Sequence, residues 1–168
     1  MTISELNELG RDEFVRIVGP IFEHSPWIAE AAWPQRPLMA ADELRMALCD
    51  VVRRSGIEKQ IALIRAHPDL VGRAALAGTL TSASAEEQAA AGLDKLSPEE
   101  IKRFQDYNTA YKEKFGFPFV ICARLNKKDA ILAGFARRMN NSREQEIRAA
   151  LEEIFKIAEL RLADLISD

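Results

Sequence analysis

Phe117-Pro118-Phe119-Val120-Ile121-Cys122-Ala123 is the one stretch of this 168-residue chain that reads as a β-strand. Its aromatic and β-branched residues favour extended backbone, but Pro118 interrupts it and no second strand offers a ladder. The expectation is buried extended backbone inside an otherwise helical protein. Amides buried without a strand alongside must bond to something. A ligand is one candidate partner.

Helix signals dominate on both sides of that segment. Ser97-Pro98-Glu99-Glu100 and Ser142-Arg143-Glu144-Gln145 fit the capping-box pattern and open helices predicted to reach Phe115 and Ile166. From Glu43 to Arg54, Leu44, Leu48, Val51 and Val52 share one side, and Gly56 is the usual residue for a left-handed helix stop. Phe14, Val15, Val18 and Ile21 recur at helical spacing. Ser25-Pro26 then reads as an N-cap followed by proline at the first helical position, so two short helices are predicted to meet there. No fixed-period repeat, low-complexity tract or linker interrupts residues 1–168. The expected fold class is all-α: a single-domain compact bundle of about eight or more helices with one buried extended segment.

Ala66-His67-Pro68-Asp69-Leu70 places one of two histidines at the end of a helix whose apolar face carries Ile57, Ile61 and Ile64. Pro68 opposes continuation, lacking an N–H and restricting the residue before it. Free carbonyls at the helix end favour an imidazolium while burial favours the neutral ring, so a side chain here can titrate near neutrality. That suits an acid or a base. A core histidine bonded to a carbonyl is the structural alternative. His24, beside Ser25-Pro26, reads as structural.

Towards the C-terminus Ile147, Leu151, Ile154, Ala158, Arg161 and Leu165 form one helical seam. Arg161 is the intruder. A guanidinium on a core-facing stripe stays charged and needs an anion or several acceptors. These are either a structural carboxylate or water, or a ligand carboxylate or urea-like carbonyl. Ser84-Ala85-Glu86-Glu87-Gln88 has the form of a capping box in which Ser84 satisfies the Glu87 amide. The same helix start can also cradle a polar ring with hydroxyl, carboxylate and amide groups.

Net charge is -3 with a pI near 5.6, and no basic block stands out, so nucleic acid is an unsuitable partner. Cys49 and Cys122 stand far apart in apolar contexts, which points to buried free thiols in a reducing compartment. Neither H-E-x-x-H, C-x-x-C nor a calcium loop is present, so no metal is expected. Nucleotide, flavin and serine-hydrolase motifs are also lacking, so no cofactor is expected. The N-terminus has neither a basic region nor an apolar run, no stretch approaches the roughly 20 apolar residues of a membrane span, and Leu165-Ile166-Ser167-Asp168 is no peroxisomal tripeptide. A soluble, unprocessed cytoplasmic protein without membrane contact is expected.

Five blocks in order resemble one known family. They are Phe22-Glu23-His24-Ser25-Pro26-Trp27-Ile28-Ala29-Glu30, Ile64 to Leu70, Glu87-Gln88 with Ala91-Gly92-Leu93, Phe115 to Ile121, and Leu160-Arg161-Leu162. Together they resemble the signature of 2-oxo-4-hydroxy-4-carboxy-5-ureidoimidazoline (OHCU) decarboxylases across almost the whole chain. The resemblance implies an all-helical, cofactor-independent carboxy-lyase of urate degradation that takes OHCU to (S)-allantoin and CO2. It implies His67 as catalytic proton donor and Glu87 as a second catalytic residue. It implies that substrate is held by Pro68, by Ser84, Ala85, Glu86, Glu87 and Gln88, by Phe119, Val120, Ile121, Cys122 and Ala123, and by Arg161. A homodimer and a functional link to hydroxyisourate hydrolase follow from the same resemblance. The competing readings are a non-catalytic ureide-binding or interaction module and a lyase or hydrolase for another ureide.

Overall fold

The computed structural model describes residues 1–167, with all their side chains except that of Ala74. In chain order the α-helices are α1 (Ile3–Glu8), α2 (Arg11–Val18), α3 (Trp27–Ala32), α4 (Ala41–Arg54), α5 (Ile57–Arg65), α6 (Arg73–Ala77), α7 (Ser82–Ala90), α8 (Pro98–Phe115), α9 (Lys128–Arg138) and α10 (Arg143–Leu165). Three short 3-10 turns join them, at Gly19–Ile21, Trp33–Gln35 and Ala123–Leu125. Among the described residues there is no strand. The protein is all-α, and no described helix is long and apolar enough to cross a membrane.

Both predicted capping boxes close. Ser97 accepts from the Glu100 amide while Glu100 accepts from the Ser97 amide, and Ser142 and Gln145 do the same. Each pair satisfies two N–H groups that a helix start otherwise leaves orphaned. Ser55 rather than Gly56 caps α4, and Gly56 precedes α5 with φ 86° and ψ 162°, a conformation open to glycine but not the left-handed helix stop expected. Three further local expectations fail. Ser25 does not cap α3: its hydroxyl donates to the Glu23 carbonyl, and Pro26 itself takes the cap position. Ile57 is 53% exposed, so the buried face of α5 is carried by Leu63 and Ile64. Ser84 is not a cap either, because Thr81 three residues earlier accepts from the Ser84 amide and starts α7 one turn sooner.

Packing divides the chain into two compact units. One comprises residues up to Ala66 together with those from Ile154 onward, the other His67–Glu153, so α10 contributes to both. In the first unit, α3 packs against α2 and α4, and Leu6, Phe14, Val18, Ile28, Leu44, Leu48 and Val52 are all essentially inaccessible. Arg36 ties loop to helix there, donating to the carbonyls of Asn7 and Leu9 and lying over the rings of Phe14 and Trp33. Both chain ends belong to this unit, where the Ser167 amide donates to the Met1 carbonyl at 2.9 Å.

The second unit is built on aromatic rings. Tyr111 meets Phe115, Phe117, Phe119 and Phe135, and Phe119 stacks on Phe135 with centroids 3.8 Å apart. Such contacts add about 0.5–1.5 kcal/mol each beyond the area they bury. The irregular segment from Phe117 to Ala123 threads through this cluster, wholly buried as expected. Gly134 on α9 packs beside it, at a position where a Cβ would make ordinary contact with Ile121 Cδ1 at 3.5 Å and Phe119 Cζ at 3.6 Å.

Candidate active site

His67 is the first residue of the second unit and is 8% exposed. The Ala66 amide closes α5 on the Ala62 carbonyl, and the chain then turns sharply through Pro68, Asp69, Leu70 and Val71. Val71 sits at φ 53°, a left-handed conformation that a β-branched residue adopts only when its surroundings hold it there. The next residue must be glycine, since a Cβ at Gly72 would lie 2.5 Å from Asp69 Cβ.

Three side chains hold this turn. The Gln88 carboxamide accepts from the Val71 amide at 3.1 Å and donates to the Asp69 carbonyl at 3.4 Å. Asn108 Nδ2 donates to the Leu70 carbonyl at 2.7 Å. Lys112 Nζ reaches the Asp69 carboxylate at 2.6 Å. His67 is thus presented by a turn tied to both α7 and α8.

On α7, Ser84 and Gln88 stand at i and i+4 on the buried face, with Glu87 half-buried beside them. Ala85 and Glu86 are exposed and do not join that face, although Ala85 lines an apolar cavity of about 330 Å³ with Val71, Leu80 and Leu93. The helix packs against the 3-10 turn at Ala123–Leu125, which brings Glu87 close to Cys122. Burial pushes the Cys122 thiol above its ordinary value, and the carboxylates of Glu153 and Glu87 add to the shift. Cys122 and Cys49 are both buried and free.

The segment from Phe119 to Ala123 is fixed by a buried polar network. Arg138 donates through Nη1 to the Val120 carbonyl at 2.7 Å and through Nε to Glu146 at 2.8 Å, while its guanidinium lies over the Phe119 ring at 4.2 Å. Glu146, with no exposed surface, also accepts from the Tyr111 hydroxyl at 2.5 Å and from Asn141 at 2.9 Å. The Cys122 amide donates to Glu153 at 3.0 Å, whereas among the described residues no main-chain carbonyl accepts from the amides of Val120 or Ile121. Charge-assisted bonds of this kind leave the segment few alternatives to its observed path.

Arg161 belongs to the first unit. Its Nη1 and Nη2 each lie 3.1 Å from Glu23 Oε2, and Nη1 also approaches the carbonyls of Pro20 and Ile21. Both partners are buried, so the charge on the apolar seam has a carboxylate beside it. His24, 68% exposed at its side chain, approaches the other oxygen of that carboxylate, with Nε2 3.8 Å from Glu23 Oε1.

Sequence reasoning missed Asn108, Tyr111, Arg138 and Glu146. The signal was the one that singled out Arg161. Phe104, Asn108, Tyr111 and Phe115 form a buried seam on α8 with Asn108 as the polar intruder, and Arg138 follows Ile131 and Phe135 on α9 in the same way.

The fold and site together define an all-helical protein in which a buried histidine, a helix bearing hydroxyl, carboxylate and carboxamide groups, and an irregular amide-rich segment lie within one compact unit. The chain belongs to the OHCU decarboxylase family, whose model matches residues 7–163. It is 46% identical over 167 residues to the 2-oxo-4-hydroxy-4-carboxy-5-ureidoimidazoline decarboxylase of Haloferax volcanii, covering 99% of this chain and 97% of that one. Among solved structures it is similar to (S)-allantoin synthase, with a TM-score of 0.81 at 29% identity over 99% of this chain and 54% of the other. It is similar also to OHCU decarboxylase crystallised in the presence of (S)-allantoin, with a TM-score of 0.70 at 25% identity over 95% of this chain and 100% of the other.

Proposed function

We propose that His67 is the proton donor with which this OHCU decarboxylase converts its substrate to (S)-allantoin, and that Glu87 assists it. The observation that carries the reading is the turn after the buried His67, where three side chains hold Asp69, Leu70 and Val71 on the unit that also contains α7 and the Phe119–Ala123 segment. Pro68, Ser84, Ala85, Glu86 and Gln88 hold the substrate from the His67 turn and α7. Phe119, Val120, Ile121, Cys122 and Ala123 present backbone groups to it. Arg161 is a further substrate-holding residue in this reading, tested separately below.

The chemistry asks little of the protein. The bond from ring carbon to carboxylate breaks, CO2 leaves, and the electron pair passes into the adjacent C=N of the substrate. The ring nitrogen takes up a proton, the hydroxyl on the carbon that lost CO2 gives up its own to become the carbonyl, and a proton reaches one face of the neighbouring carbon, which becomes the stereocentre. Holding the scissile bond, stabilising developing charge and delivering that proton are the tasks left to side chains and amides.

The test is freshly generated OHCU given to purified protein, followed by circular dichroism. Faster loss of OHCU with an excess of (S)-allantoin over the spontaneous reaction supports the reading, and an unchanged rate with racemic product defeats it. A homodimer, cytoplasmic location and supply of substrate by a hydroxyisourate hydrolase belong to the same proposal. Sedimentation analysis reads the first of these.

A further inference from the structure

We infer that Asn108 is a positioning residue for the reaction, holding the turn that carries His67 and so setting where its imidazole delivers a proton. The inference rests on the role proposed for His67.

Asn108 is 5% exposed and lies among aromatic rings on α8. Its Nδ2 donates to the Leu70 carbonyl, three residues past His67. A carbonyl can only accept, so the nitrogen of the carboxamide has to face it. The Oδ1 that this leaves on the other side is buried and without a partner.

Stability alone does not account for an amide here. A leucine of similar volume would lose one bond to Leu70 but would also remove the orphaned acceptor, and these effects oppose each other. What leucine cannot do is fix the Leu70 carbonyl. That bond acts on a turn that does not support itself, because Val71 beside it is held in a left-handed conformation. Lys112, one helical turn on from Asn108, grips Asp69 in the same turn. Both ties run from α8 to the residues immediately after His67, and a displacement of about 1 Å in a reacting group can lower turnover about a hundredfold.

The experiment compares the full chain with Asn108→Leu at temperatures where both are folded. The expected result is an affinity for (S)-allantoin within about twofold of the parent with kcat lowered about tenfold or more. The chain has two histidines, so His24→Gln assigns the imidazole resonances, and the His67 signal is expected to move in Asn108→Leu. A kcat within about twofold of the parent overturns the inference, as does a loss of kcat matched by an equal loss of allantoin affinity. Should Asn108→Leu not fold, Lys112→Ala decides the matter. This exposed change is expected to lower kcat about threefold with allantoin affinity unchanged, and an unaltered kcat overturns the inference. If the parent chain itself fails to accelerate OHCU loss, the function proposed above falls. The positioning of the turn is then judged by the His67 resonance alone, and an unmoved signal in Asn108→Leu overturns it.

Discussion

Gln88 Oε1 accepts the amide proton of Val71 at 3.1 Å, so a side chain of α7 completes the backbone bonding of the turn that follows His67. Among the described residues no main-chain carbonyl accepts from this amide, and the carboxamide supplies an acceptor. Gln88 also donates to Asp69 on the same turn. The residue proposed to hold substrate from α7 is thus also bonded to the turn that follows His67.

Gln88→Ala is expected to lower stability by about 1–3 kcal/mol by leaving a buried N–H unsatisfied, and to lower kcat as well. Gln88→Glu keeps an acceptor for Val71 but buries a carboxylate against the Asp69 carbonyl, so it should also destabilise in urea unfolding. Equal stability of Gln88→Ala and the parent would show that the bond contributes nothing.

His67→Asn should leave the fold and allantoin binding intact while abolishing the acceleration of OHCU loss, because a carboxamide has no titrating proton to give. Stopped-flow absorbance read with isothermal titration separates the two effects. A near-parental rate would remove His67 from its role.

Arg161→Ala leaves the Glu23 carboxylate buried without its guanidinium and is expected to reduce stability by about 3–5 kcal/mol. Glu23→Gln should also destabilise, and a double-mutant cycle measures how far the two are coupled. Allantoin affinity in Arg161→Lys reads its second role. Weaker binding supports a substrate contact, and unchanged affinity leaves only the ion pair.

Burial, and then donation to Glu146, hold the Tyr111 phenol well above its ordinary value of 10.0. The unfolded chain therefore releases this proton before the folded one does. Its contribution to stability is complete below about pH 10 and is lost progressively as pH rises further. Tyr111→Phe is expected to lower stability by about 1–3 kcal/mol at neutral pH and to flatten the alkaline slope of urea midpoints. A slope identical to the parent's would show that Tyr111 does not govern it.

The amino-acid sequence determined most of the helices, because their starts and stops depend on local chemistry. Ser97 with Glu100 and Ser142 with Gln145 close their helix starts using residues three apart, and Pro68 stops a helix by covalent geometry alone. The burial of Phe117 to Ala123 followed from its apolar content and lack of a strand partner. Local pattern failed where two adjacent answers were chemically equivalent: Thr81 and Ser84 both carry a cap-forming hydroxyl, and the path of the chain chose Thr81. Only the tertiary structure decided that Asn108, 38 residues beyond Leu70, bonds its carbonyl, that Glu146 gathers Tyr111, Arg138 and Asn141, and that Arg161 meets Glu23 from 138 residues away. A buried polar side chain announces in sequence that it needs a partner. Which partner it finds depends on how the helices pack, and no spacing along the chain encodes that directly.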